Sequence, residues 1–451
     1  MRFQELAKLR VGVWGAGKEG CSIIYYLQQR FPDKPLVLID DHQPPPSLLA
    51  ELSQHGALEF MLASELNHAT MTLDVIIKSP GVSRYRPEIA RARQLGIYLT
   101  TATNLWLAEV ANRTRVIAVT GTKGKSTTAS VLAFILEKAG LNVALAGNIG
   151  IPLTDLLVHD QHFDWVVAEL SSYQLSDLDV WPELGIMLNL YPEHIDWHGS
   201  TANYYQDKLR LFAPEGHCLP VVNFADATVR AAIGAADPVM YFNAPSAIHV
   251  HDNDIMDGEL PLLSGADLKL RGQHNLINIC AALTVARYLG VAIADVAPSL
   301  AEFNGLAHRL ELIGTYNGIT YVDDSISTTP ESAMAALAAY PGQTITLLLG
   351  GKDRQQDFTA FARYVSEQRL FAIITMHENG NRIAQEISAE LQHQAYAPII
   401  KAEKDLPAAL AQAQAITPLG GIILLSPASP SYDAYKNFQE RGEVFRRLAG
   451  G

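Results

Sequence analysis

The sequence predicts an α/β protein of three successive domains. These are a Rossmann-like N-terminal domain (1–108), a central P-loop domain with a parallel sheet (109–306) and a Rossmann-like C-terminal domain (307–451). Three observations predict it. The apolar run Val11-Gly-Val-Trp14 leads into Gly15-Ala-Gly-Lys-Glu-Gly20 and then a helical pattern. The mostly β-branched run Val116–Val119 leads into Thr120-Gly-Thr-Lys-Gly-Lys-Ser-Thr127 and a second helical pattern. From Ile319 onward, short apolar runs again alternate with helical stretches. Such alternation builds parallel sheets whose ligands sit at the carboxyl ends of the strands.

In the first segment the helix after Gly20 runs to about Arg30, and the next strand, Leu36–Ile39, ends at Asp40. An acid twenty residues beyond a G-x-G-x-x-G turn matches a dinucleotide fingerprint. A further strand, Val75–Ile77, enters the turn Lys78-Ser-Pro-Gly81, and Pro44–Pro46 reads as a stiff loop. The second segment has strands at Val143–Ala146, Trp165–Glu169 and Gly185–Leu190, each ending in polar residues. Thr201–Phe212 reads as a helix, Ser246–Leu268 as short strands and turns, and Arg271–Ala282 as the opening of an amphipathic helix. The third segment has strands at Ile319–Val322, Thr344–Leu349, Leu370–Ile374 and Gly421–Leu425.

With 48% hydrophobic and 18% charged residues, 451 residues are enough for several packed α/β domains and too apolar for disorder. A net charge of −13 argues against a nucleic-acid or anionic-membrane binder. Cys21, Cys218 and Cys280 are too far apart for a disulfide framework or a zinc cluster. No signal peptide or membrane-spanning run is evident, and a cytoplasmic protein without membrane insertion is expected.

The strongest chemical signal is the glycine loop at 121–127. Gly121 and Gly124 let backbone amides turn toward an anion, Lys125 reaches outer phosphates, and Ser126 offers a hydroxyl to Mg²⁺. Val119 stands where the full Walker pattern has glycine, so the match is to the shorter form, and ATP is the expected ligand. Glu169 ends a strand beside this loop, a position suited to holding Mg²⁺. His194, Asp196 and His198 could be read as zinc ligands, but Pro192 interrupts and no H-E-x-x-H helix is evident. A Mg²⁺ or substrate role suits His194 better, and a structural one His198. Lys208 lies on a partly apolar stripe with Tyr204 and Leu211, which by spacing alone describes a snorkelling lysine with its ammonium in water.

Several motifs, taken together and in this order, resemble the Mur ligases. They are Thr120–Thr127, Gly147-Asn-Ile-Gly150, Glu169-Leu-Ser-Ser-Tyr-Gln-Leu175, Pro192-Glu-His194, Asp207-Lys208, Gly272-Gln-His-Asn275 with Asn278, and Ala307-His-Arg-Leu-Glu311. The run Leu425–Gly442 is similar to the glutamate-adding branch of that family. The resemblance implies an ATP-dependent amide ligase of peptidoglycan precursor synthesis. It would join glutamate to UDP-N-acetylmuramoyl-L-alanine through an acyl phosphate, act as a monomer and take small-molecule substrates only. It assigns ATP to Gly121, Thr122, Lys123, Gly124, Lys125, Ser126, Thr127, Asn278, Arg309 and Asp324. It gives Mg²⁺ to Ser126, Glu169, His194 and Lys208, the last as a carbamate, and makes Lys125, Glu169, His194 and Lys208 catalytic. The UDP substrate would meet Gly15, Ala16, Gly17, Lys18, Asp40, Ser79, Asn148 and Ser171, with Lys78 in the same turn. Glutamate would meet Thr328, Arg354, Ser431 and Phe438.

Two positions depart from the D-glutamate pattern. Ile326 stands where that branch has a lysine, and Arg354 stands for a second lysine. Loss of a cation beside a dicarboxylate marks an altered pocket, and arginine is no neutral substitute for lysine. D-glutamate is the family default, and L-glutamate is the alternative these positions raise. A folate polyglutamate-type ligase is a rival reading. An NAD-dependent oxidoreductase, resting on Gly15, Gly17, Gly20 and Asp40, leaves the phosphate loop unexplained. A non-catalytic nucleotide switch would bind ATP without amino-acid-dependent phosphate release.

Overall fold

Aliphatic runs without polar interruption suit strands buried on both faces, and this chain uses them as the central strands of three largely parallel sheets. The computed structural model describes residues 1–67, 73–111, 113–149, 151–157, 161–212, 217–234, 238–270, 272–305, 307–353, 356–392 and 394–450. It comprises two compact units, one of residues 1–268 with 273–303 and one of residues 269–272 with 304–451.

The first unit holds two parallel sheets. In the first, β1 (Val11–Trp14), β2 (Leu36–Asp40), β3 (Leu58–Leu62), β4 (Val75–Lys78) and β5 (Tyr98–Thr100) lie in the order β3-β2-β1-β4-β5. The chain reverses direction across the sheet at β1, and this switch point opens a crevice above the glycine turn that follows β1. Gly20 is obligatory in that turn, because a Cβ there would lie 1.8 Å from the Gly15 carbonyl oxygen.

The second sheet contains β6 (Arg115–Thr120), β7 (Val143–Gly147), β8 (Trp165–Glu169), β9 (Leu184–Met187), β10 (Leu219–Asn223) and β11 (Met240–Phe242), in the order β11-β10-β9-β6-β8-β7. Here the switch falls at β6. Val119 pairs with Glu169 on one side and Ile186 on the other, so the segments after β6, β8 and β9 emerge together. An antiparallel sheet of β12 (Ile248–His251), β13 (Asp254–Asp257) and β14 (Leu260–Ser264) accounts for the short strands expected between 246 and 268.

The helix Gln273–Tyr288 differs from the expected amphipathic one. Its positions from Asn278 to Ala286 are all buried, and it packs against the helix Lys125–Lys138, which is itself apolar on most sides. A helix enclosed by neighbours has no polar face to preserve.

The second unit has one sheet, ordered β15-β16-β20-β17-β18-β19. Its strands are β15 (Glu311–Tyr316), β16 (Ile319–Asp323), β17 (Ile345–Leu349), β18 (Ala372–Thr375), β19 (Ile399–Ala402) and β20 (Ile422–Leu425). All pairs are parallel except β15 with β16.

Candidate active site

The glycine loop links β6 to the helix Lys125–Lys138, whose first turn leaves amides without intrahelical partners and carries the positive end of the helix dipole. Gly124, at the N-cap with φ +87°, is the residue on which the turn depends. A Cβ there would also lie 2.5 Å from Asn278 Oδ1, so the Asn278 side chain stands directly against the loop. Lys125 Nζ donates to the carbonyls of Gly121 (3.2 Å) and Thr122 (3.0 Å), curled over its own loop.

Thr122 and Lys123 are also tied into the protein. The Thr122 amide donates to Asn189 O at 3.1 Å and the Lys123 amide to Asn189 Oδ1 at 2.9 Å. The Thr122 hydroxyl is held by Tyr191 O (3.0 Å) and the Tyr204 hydroxyl (2.9 Å). These two residues fasten the loop to the segment after β9. The Lys123 ammonium is paired with Glu193.

Glu169 ends β8 and is 1% exposed. Its Oε1 accepts from Asn148 Nδ2 at 2.7 Å, whereas its Oε2 is buried without a hydrogen-bond partner. An unsatisfied buried carboxylate oxygen beside a phosphate loop fits a cation, and oxygen ligands from Glu169 and Ser126 suit Mg²⁺. His194 caps a short helix, Ile195–His198, from a left-handed conformation (φ 56°), with its ring 5.2 Å from that of Tyr173. Burial lowers the pKa of His194 against the opposing pull of Glu193, with Lys125, Lys123 and Lys208 adding to the depression.

Lys208 is not a snorkelling lysine. Its side chain is 1% exposed, and Nζ donates to Gly121 O at 2.8 Å and Thr120 Oγ1 at 3.3 Å. Burial, with the charge of Lys125 second, pushes its ammonium well below the usual lysine range. The spacing gave the apolar stripe correctly but not its depth, because the face of the helix Thr201–Leu209 that carries Tyr204, Asp207 and Lys208 is buried and Lys208 reaches the phosphate loop. His198 is fully buried, as a structural role requires.

At the N-terminal crevice Asp40 Oδ2 accepts from the Ala16 amide at 2.8 Å, and Ser79 Oγ donates to Gly15 O at 3.2 Å. Asp40 and Ser79 therefore shape the glycine turn, while Gly17 and Lys18 are exposed at its rim. Lys78 is itself buried and paired. It is 2% exposed, and its Nζ lies 2.9 Å from Asp177 Oδ2 and donates to Val82 O at 2.6 Å. Ser171 is the N-cap of the helix Ser172–Leu175, its hydroxyl engaged with Gln174. Sequence reasoning missed Glu19. Gln174 Nε2 donates to its Oε1 at 2.5 Å, and burial pushes its carboxyl up to about 7 against that bond and the charge of Lys78.

In the second unit Asp324 is buried, accepting from Leu310 N (3.2 Å) and Ser426 Oγ (2.7 Å), and burial raises its carboxyl to about 6. Arg309 is exposed, Ser431 is buried, and Phe438 opens the helix Phe438–Ala449. Thr328 O accepts from Gln356 Nε2 at 3.0 Å. Arg354 lies outside the described residues. His308, which sequence reasoning assigned no role, is buried with Nδ1 2.7 Å from Asp323 Oδ2. Burial opposes its protonation, but Asp323 prevails and raises its pKa.

Residues 9–101 match the Mur ligase MurD-like N-terminal domain, 119–286 the Mur ligase middle domain, and 308–429 the Mur ligase glutamate ligase domain. A UDP-N-acetylmuramoyl-L-alanine–L-glutamate ligase of Xanthomonas axonopodis pv. citri (strain 306) is 38% identical, over 100% of this chain and 97% of its own. The chain belongs to the Mur ligase family. It is accordingly an ATP-dependent ligase, and membership carries the use of Mg²⁺ with it. A Micromonospora relative of the same name is 37% identical over 99% of this chain and 97% of its own. Among solved structures, the UDP-N-acetylmuramate–alanine ligase of Thermotoga maritima superposes with a TM-score of 0.59 at 18% identity, over 98% of this chain and 100% of that one, and shows the fold. Among the described residues no helix is long and apolar enough to cross a membrane.

Proposed function

We propose that this ligase joins L-glutamate to UDP-N-acetylmuramoyl-L-alanine, converting ATP to ADP and phosphate. The observation that carries the reading is the match along the whole chain to relatives named for that reaction. Ile326, which replaces a cation at the glutamate end, supports the L enantiomer over the family's D-glutamate default. The functional division is 1–108 for the UDP substrate, 109–306 for ATP and 307–451 for glutamate, in a cytoplasmic monomer.

Chemically, the terminal carboxylate of the UDP substrate attacks the γ-phosphorus of ATP, giving an acyl phosphate and ADP. The glutamate amine then adds to the acyl carbon, loses a proton, and inorganic phosphate departs as the amide forms. Lys125 and the loop of Gly121, Thr122, Lys123, Gly124, Ser126 and Thr127 would hold the ATP phosphates and offset their repulsion toward an incoming carboxylate. Glu169, Ser126, His194 and Lys208 would hold Mg²⁺, which when bound polarises the phosphoryl oxygens. The depressed pKa of Lys208 keeps a fraction of its amine neutral, and only a neutral amine adds to CO₂. Carbamylation of Lys208 would replace a cation with an anionic oxygen ligand beside Glu169. Gly15, Ala16, Gly17, Lys18, Asp40 and Ser79 would frame the UDP end. Asn148 would reach the phosphates while orienting Glu169, and Ser171 would act through its cap. Asn278, Arg309 and Asp324 would complete the nucleotide contacts, and Thr328, Arg354, Ser431 and Phe438 would hold glutamate.

The test supplies ATP, Mg²⁺ and L-glutamate with UDP-N-acetylmuramoyl-L-alanine, UDP-N-acetylmuramate or a reduced folate, and weighs the product by mass spectrometry. Glutamate added to the first acceptor alone is the expected result. Addition to the folate alone would overturn the reading.

A further inference from the structure

The segments carrying Glu169, His194 and Lys208 meet at a buried hydrogen-bonded chain that the phosphate chemistry does not use. The Asp207 carboxylate, 2% exposed, accepts through Oδ2 from the Tyr85 hydroxyl at 3.0 Å and lies 2.6 Å from His198 Nδ1. His198 Nε2 is 3.0 Å from Ser172 Oγ. With Nδ1–H donating to the carboxylate, Nε2 of the neutral ring accepts from the serine hydroxyl. The order serine, histidine, aspartate is that of a nucleophilic triad, but all three residues are buried, which leaves them a positioning role.

Their places in the sequence say what they position. Ser172 begins the helix after Glu169, His198 ends the short helix that His194 caps, and Asp207 immediately precedes Lys208. Tyr85 comes from the other sheet of the same unit, on the loop after β4 that also carries Ser79. That loop is pinned to the central domain elsewhere too. Ser83 Oγ donates to Trp197 O at 2.8 Å, and Trp197 Nε1 donates to Gly81 O at 3.1 Å. A buried carboxylate is stable only while its donors stay in place, so moving the loop must move the Asp207 end of the helix.

We propose that Tyr85, His198 and Asp207 are positioning residues that hold Lys208 in register with the phosphate loop and tie that register to the loop carrying Ser79. The inference rests on the ligase reading above. Its consequence is reciprocal coupling: UDP-substrate bound in the N-terminal crevice tightens Mg²⁺–nucleotide binding at the phosphate loop, and the reverse.

Tyr85→Phe removes the hydrogen bond of the link and leaves the longer contact from the same loop, Arg84 Nη1 at 3.9 Å from Asp207 Oδ1. Tyr85 is 43% exposed and its ring stands edge-on to Trp197 at 6.5 Å, a contact phenylalanine keeps. Calorimetry would measure the affinity of a non-hydrolysable ATP analogue with Mg²⁺, with and without UDP-N-acetylmuramoyl-L-alanine. The wild type should bind the analogue about fivefold more tightly when the second ligand is present. In Tyr85→Phe that ratio should fall to about twofold or less, the remaining contacts of the loop being Arg84 with Asp207 and Ser83 and Gly81 with Trp197, while each ligand alone binds within about twofold of wild type, and kcat should drop more than KM for ATP. Asp207→Asn should lose the coupling in the same way. Coupling undiminished in both variants, or none in the wild type, overturns the inference. Failure of the wild type to bind the UDP substrate at all would instead count against the proposed function.

Discussion

Glu19→Gln should stabilise the protein at pH 8 and scarcely change it near pH 5. The folded state raises this carboxyl from 4.5 to about 7, chiefly by burial at the start of the helix Lys18–Arg30. Folding therefore favours the protonated form by about 3 kcal/mol. The sign follows from proton counting. Between pH 4.5 and about 7 the unfolded chain has released this proton and the folded chain has not, so stability falls as pH rises through that window. Above it the wild type bears the whole penalty of a buried carboxylate. Glutamine never ionises, and its amide oxygen can still accept from Gln174 Nε2. The variant should thus gain up to about 3 kcal/mol over wild type at pH 8, and little at pH 5. Trp14, Trp106, Trp165, Trp181 and Trp197 are the 5 tryptophans of the chain and all lie in the first unit, so urea unfolding followed by tryptophan fluorescence reads that unit alone. A stability difference that stays flat from pH 5 to pH 8 would refute the reasoning.

Three further outcomes are expected. Gly124→Ala forces a side chain onto a left-handed backbone and against Asn278, and should weaken ATP binding by calorimetry at least about tenfold while the circular dichroism spectrum stays unchanged. Glu169→Gln keeps an acceptor for Asn148 but removes the charge on the unpartnered oxygen, and should lower Mg²⁺-dependent phosphate release about a hundredfold or more. Ile326→Lys restores the missing cation and should shift the product, resolved by chiral chromatography of its hydrolysate, toward D-glutamate.

The central strands and the phosphate loop were legible because each is a local signal: an uninterrupted apolar run, then glycines, then a helical period. The strands the sequence did not reveal are β3, β5, β10, β11, β15 and β19. All lie at sheet edges except β10, which lies next to one. Edge strands are partly solvated, as the exposed pattern of β19 shows, so they lack the continuous apolar signature. Pro220 further disguises β10, since proline within a run speaks against a strand.

The site was legible to the extent that it follows strand ends. Glu169 and Gly124 could be read there, while the hydrogen-bonded chain beside Lys208 could not. Tyr85 and Asp207 lie 122 residues apart, and only the packing of the two sheets brings them together. Thr122 illustrates a subtler limit. Its position within the motif suggests phosphate contact, and nothing in the motif announces that its amide also donates to the Asn189 carbonyl, just beyond the neighbouring strand.

The most direct test of the central claim is phosphate release from Mg²⁺–ATP with UDP-N-acetylmuramoyl-L-alanine, run separately with L-glutamate and D-glutamate and with the product mass verified. Turnover with L-glutamate, and little with D-glutamate, is the predicted result. Turnover with D-glutamate alone, or with neither, would contradict the account.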